Sequence, residues 1–104
     1  MADVIWSPRA NRHLHGILSV ISREVGGAAA LKWNRRFLKA SRQLEKFPEI
    51  GSPVDDVPSP GLREQIVGLY RMIYRFDGLA VLIAFVIRAE QELDRAWIEE
   101  GLFP

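Results

Sequence analysis

The stretch from Leu62 to Ile87 constrains the fold more than any other. It reads LREQIVGLYRMIYRF, then Asp77-Gly78, then LAVLIAFVI. β-Branched and aromatic residues dominate both runs, and Asp-Gly between such runs is a strong short-range hairpin signal. From Tyr70 the pattern alternates: Tyr70, Met72, Tyr74 and Phe76 fall on one face, Arg71, Ile73 and Arg75 on the other. Gly68 supplies a break that folds Leu62–Val67 back on Tyr70–Phe76. The stretch therefore predicts a three-stranded antiparallel meander with arginines set on an apolar sheet.

The residues before it read as helices. Asp3-Val4-Ile5-Trp6 is a short apolar strand that stops at Ser7-Pro8. Ser7 suits an N-cap, and Pro8 suits the first helical position, where its missing N–H costs nothing. Leu14, Ile17, Leu18, Ile21 and Val25 recur at helical spacing, and Gly26-Gly27 closes that helix. His13 and His15 stand two apart and point to different faces, so they predict no shared metal site. A second helix runs to about Phe47, with Ala30, Trp33, Phe37, Ala40, Leu44 and Phe47 as its apolar face. The two form an αα-hairpin that must hide both stripes against the sheet. The opposite face of the second helix carries Lys32, Arg35, Arg36, Lys39, Arg42 and Lys46. Such a face is either simply solvated or a docking stripe for phosphates or an acidic partner.

Between Phe47 and Leu62 stand Pro48, Pro53, Pro58 and Pro60, a density that predicts a surface loop without regular structure. Glu90–Gly101 carries Leu93, Trp97 and Ile98 among five acidic residues, consistent with a short amphipathic helix ended by Gly101. The expected fold is α+β, ordered β-α-α-β-β-β, with an antiparallel sheet covered by the αα-hairpin and a short C-terminal helix or tail. At 104 residues the chain fits one domain over residues 1–104. It has no cysteine, which removes disulfides and thiolate metal sites. No apolar run approaches the ~18–20 residues of a membrane span, and no signal pattern opens the chain, so a cytoplasmic protein without membrane contact is expected. The net charge of +1 says little as a total.

The order Leu62-Arg63-Glu64, Val67-Gly68 and Tyr70-Arg71-Met72-Ile73-Tyr74-Arg75 resembles the central signature of the ParE/RelE superfamily of type II toxin–antitoxin toxins. The likeness continues through Pro48-Glu49-Ile50-Gly51 and Trp6-Ser7-Pro8-x-Ala10. It implies the same element order and one of two activities. RelE-like members cut messenger RNA on the ribosome, and there the arginine at the Arg71 position contacts phosphate. Arg63, Arg75 and Arg88 are the further cations such a site could use here, with Arg71, Arg63 and Arg88 as its catalytic candidates. Glu64 and Gln65 stand near where those relatives carry lysines, and the last strand ends Ile87-Arg88-Ala89 with neither histidine nor tyrosine. Guanidinium stays protonated, so proton transfer has no evident agent.

The ParE branch poisons DNA gyrase without nuclease residues, and the pattern favours it. On that reading the chain is a plasmid-stabilisation toxin that needs no cofactor. Target or partner contacts are expected at Arg63, Arg71, Arg75, Arg88, Leu93 and Trp97. The cognate antitoxin is expected on Arg35, Arg36, Lys39 and Arg42, and the chain is expected as a homodimer or as a heterotetramer with the antitoxin. Removing residues 92–104 should then detoxify without unfolding the domain. A ribosome with its message is the alternative target, and a nontoxic relative acting only as a binding module is the third reading.

Overall fold

A computed structural model describes residues 1–57, 59 and 61–102. The element order is β1 (Asp3–Trp6), α1 (Pro8–Glu24), α2 (Gly27–Lys46), β2 (Ser52–Pro53), β3 (Leu62–Val67), β4 (Tyr70–Phe76), β5 (Ala80–Arg88) and α3 (Arg95–Glu99). The strands form one sheet in the order β1-β5-β4-β3-β2. The meander is antiparallel as expected, with Val67 opposite Tyr70 and Phe76 opposite Val81. Gly68 turns the first hairpin at φ +58, and the Asp77 carboxylate accepts the Leu79 and Ala80 N–H groups in the second.

The sheet departs from the expectation at both edges. β1 runs parallel to β5, pairing Trp6 with Ile83, so the sheet is mixed. The proline-rich connection was expected to hold no regular element, yet Ser52 and Pro53 pair with Glu64 and Arg63 as an edge strand. An edge tolerates proline because a missing N–H can face away from the ladder. Pro58 and Pro60, read as part of that loop, lie outside the described residues.

The register of β4 against β5 slips between Ile73 and Tyr74, which face Phe85 and Ile83 and leave Ala84 as the extra residue of a bulge. Ser7 occupies that bulge. Its hydroxyl donates to the Ala84 carbonyl at 3.0 Å and accepts the Ala10 N–H at 2.9 Å, while its own N–H donates to Ile83. One side chain thus caps α1 and fixes it across β5.

Two apolar layers sandwich the sheet. Under the hairpin lie Ala10, Phe37, Leu44, Tyr70, Met72, Tyr74, Val81 and Ile83. The α1 stripe is only partly used. Leu14 and Ile17 pack on this core, but Val25, the C-cap residue beyond the end of α1, is 74% exposed. Phe47, expected on the buried face of α2, caps the helix and is 60% exposed. On the other side of the sheet, Leu93 joins Val54, Val57, Leu62, Ile73, Phe85 and Ile87, with Trp97, Ile98 and Leu102 packed against them. The C-terminal segment is therefore a lid on the second core.

Candidate functional site

Arg71 reaches into the layer beneath the lid and is 7% exposed. Its Nε donates to Glu64 at 2.8 Å, while Nη1 and Nη2 grip both oxygens of Asp56 at 3.1 and 2.8 Å. Nη1 also donates to the Gln91 carbonyl at 2.8 Å, and Asp56 accepts the Leu93 N–H at 2.7 Å. The planar fork of one arginine therefore ties the proline-rich connection, β3 and the C-terminal segment together. Asp56 was not singled out as a site residue in the sequence, since nothing local connects it to a strand fifteen residues on.

The hydrogen bonds from Arg71 hold the Asp56 carboxyl down at about 2, helped by the Leu93 N–H and opposed by burial. An unfolded aspartate titrates near ~3.9. The folded carboxylate thus binds its proton less readily, and this pair contributes stability above about pH 4 that is lost as pH falls through 2. Urea unfolding between pH 5 and 2 should show wild type losing more stability than Asp56→Asn. The difference should be on the order of 1 kcal/mol, because the carboxylate is partly exposed to screening solvent. Equal losses in the two proteins would remove Asp56 from the account.

The other arginines do not converge on Arg71. Arg63 donates to the carbonyls of Glu49 and Gly51 at 3.2 and 2.8 Å, bracing the start of β2. Arg75 is exposed. Arg88, exposed at the end of β5, pairs with Glu90 at 2.9 Å and lies 5.8 Å from the Tyr70 ring. The two expected anchors of the C-terminal segment are turned inward. Leu93 is 5% exposed, and Trp97 stacks on Phe85 at 5.5 Å. Leu93 is thus enclosed, because the sheet has two apolar faces and the hairpin covers only one, whereas Trp97 is partly buried and also lines an open groove.

Arg9 and His13 complete this junction and were not expected there. The Arg9 guanidinium is buried beside the stacked Phe85 and Trp97 rings, 5.7 and 5.5 Å from their centroids, and bonds the Trp97 carbonyl and the Glu100 carboxylate. His13 sits 4.9 Å from Trp97, its Nδ1 accepting the Val86 N–H. Burial, then the charges of Arg9 and Arg12, push the His13 pKa down. A basic residue in a first helical turn reads as solvated, so the sequence carried no signal for Arg9. Beside this junction a groove of about 470 Å³ is lined by Arg12, Ile17, Val20, Val86, Arg88 and Gln91 among others.

On the opposite layer, Arg35, Arg36, Lys39 and Arg42 are all exposed on α2. The Arg36 guanidinium lies over the Trp33 indole at 4.2 Å. Both crowd Gly68, where an added Cβ would come within 2.6 Å of Trp33 and 2.7 Å of Arg36. Next to them, a notch of about 270 Å³ opens between α2 and β3, lined by Arg36, Lys39, Gln43, Gln65 and Ile66. β2 pairs only with Arg63 and Glu64, which leaves Gln65–Val67 beyond its reach. Among the described residues no cluster of three or more metal-ligating side chains occurs, and no helix is long and apolar enough to cross a membrane.

Comparison with known proteins agrees with this architecture. A chain of the chromosomal ParDE TA system from P. aeruginosa superposes with a TM-score of 0.73 at 21% identity, covering 86% of this chain and 98% of that one. That likeness shows the fold. No curated protein matches the sequence. The family model for the ParE toxin of the type II toxin–antitoxin system, parDE, matches residues 4–93, from β1 to the Leu93 plug of the second core. With a match over so much of the chain, this protein belongs to the ParE toxin family of type II toxin–antitoxin systems.

Proposed function

We propose that this chain is the toxin of a plasmid-stabilisation module, that it acts in the cytoplasm by binding DNA gyrase, and that a cognate antitoxin silences it. The observation that carries the choice of target is the state of Arg71. The arginine at the position that contacts phosphate in RelE-like relatives is saturated here by two carboxylates and a carbonyl. Recruiting it to a scissile phosphate would break a partly buried ion-pair network, which is costly because the carboxylates are left unpaired. Arg63 is likewise engaged with backbone carbonyls. Arg71, Arg63, Leu93 and Trp97 then act as scaffold, and target contact falls to exposed cations such as Arg75 and Arg88.

The antitoxin seats along Arg35, Arg36, Lys39 and Arg42 and on the neighbouring Gln65–Val67 edge. An extended acidic segment there could add a strand while its carboxylates meet the helix. The test of target uses purified protein in two assays, gyrase supercoiling and cleavage of ribosome-bound message. Inhibited supercoiling with intact message is expected. Arg71→Lys should stay toxic on induced expression wherever circular dichroism shows it folded. Message cleavage abolished by Arg71→Lys in a folded variant would replace gyrase with the ribosome.

A further inference from the structure

The charges of this protein are segregated by its sheet. α2 carries six cations against one carboxylate, Glu45, whereas residues 90–102 carry five carboxylates against Arg95. α2 covers one face of the sheet, and the C-terminal segment closes the other. Lys32, Arg35, Arg36, Lys39, Arg42 and Lys46 are all exposed. The ion pairs among the described residues are Arg9–Glu100, Arg71–Asp56, Arg71–Glu64 and Arg88–Glu90, and none draws on α2. At 100° per residue the six cations fill a sector of about 120°, centred opposite Phe37 and Leu44. From Lys32 to Lys46 the stripe is about 21 Å long at ~1.5 Å per residue.

We propose that this stripe is a contact surface for the phosphate backbone of duplex DNA in the free toxin. One strand of a duplex presents a phosphate every ~3.4 Å of axis, so about six phosphates span the stripe. The stripe has no aromatic anchor of the kind that dominates protein–protein hot spots. Leu31 and Leu38, though exposed, border it rather than interrupt it. Nor does it offer a stacking platform for unpaired bases. Its one nearby indole, Trp33, is edge-on to Tyr70 at 5.2 Å on the inner side and capped by Arg36 on the outer. A rigid cationic rod without base-reading or stacking groups suits non-specific backbone contact. The contact deepens the gyrase reading and rests on it for its purpose, since gyrase works on duplex DNA. The acidic antitoxin, seated on the same helix, would exclude DNA from it.

The test is fluorescence anisotropy of the full chain with a labelled 20-base-pair duplex of arbitrary sequence, between 50 and 200 mM salt. With four cations engaged, log K should fall against log salt with a slope of about −3.6, and Arg35→Gln with Arg42→Gln should flatten it by about 1.8. Circular dichroism checks that the double variant is folded. Absence of saturable binding at 50 mM salt, or an unchanged slope in the folded variant, overturns the proposal. So does tighter binding of a single-stranded RNA of equal length, or a variant that loses the antitoxin while keeping DNA. Gyrase inhibition without DNA binding would sink this contact and leave the gyrase reading intact. Stripe-dependent DNA binding without gyrase inhibition would do the reverse.

Discussion

Removing residues 92–104 should lower the unfolding free energy by roughly 3–6 kcal/mol, the sum expected for uncovering two or three large apolar side chains. The segment supplies Leu93, Trp97, Ile98 and Leu102 to the second core, and its loss bares Ile73, Phe85 and Ile87. It also takes away the Leu93 N–H that binds Asp56 and the Glu100 carboxylate that binds Arg9. Against a typical total of ~5–15 kcal/mol, the truncated domain should be marginal and should bind apolar dyes. The expectation that truncation detoxifies a folded domain is thereby replaced. Loss of toxicity after this deletion would report the missing core as readily as a missing target contact. Urea unfolding decides the matter, and an unchanged midpoint would mean that the segment adds nothing to the domain's stability.

Phe37→Ala should cost about 3–5 kcal/mol, as large-to-small changes in a packed core do. Phe37 is fully buried, 5.6 Å from the Tyr70 ring and 6.3 Å from Trp33. Trp33→Ala should cost less, about 1–3 kcal/mol, because Trp33 is only half-buried and its outer face is already covered by Arg36. Guanidinium unfolding of the two variants gives the ranking. A larger loss for Trp33→Ala would show that the indole, not the phenyl ring, is the keystone between α2 and the sheet.

These two cases mark how far the sequence could be read. Short-range signals were legible because their physics is local: Ser7-Pro8 starts α1, Asp77-Gly78 turns the last hairpin, and the alternation from Tyr70 separates the faces. The apolar spacing of α2 likewise found Phe37, Ala40 and Leu44. What escaped was decided at a distance. Ser52–Pro53 is a strand only because β3 lies beside it, and β1 finds its parallel partner almost eighty residues away. Arg71 stood out in the sequence with Glu64 as a carboxylate within reach, but its role depends also on Asp56 and Gln91, which no spacing rule connects. Leu93 and Trp97 looked like a free amphipathic face until the second, uncovered side of the sheet claimed them. A one-dimensional pattern shows that a residue is apolar. It does not show whether the surface waiting for it is its own or a partner's.

The parallel pairing of β1 with β5 also bears on how the molecule is made. β5 is an interior strand of the sheet, between β1 and β4, and it follows the other four strands in the chain. The αα-hairpin has local contacts, the kind that form fast, but the core that covers Phe37 and Leu44 is incomplete until Val81 and Ile83 arrive. At ~5–20 residues per second, the stretch from Lys46 to Arg88 takes about 2–8 s to translate. For those seconds the nascent chain is a basic hairpin with a sticky underside, open to chaperones and to aggregation. A construction in which the first strand waits for the fifth leaves the sheet open on that side until Arg88 has been made.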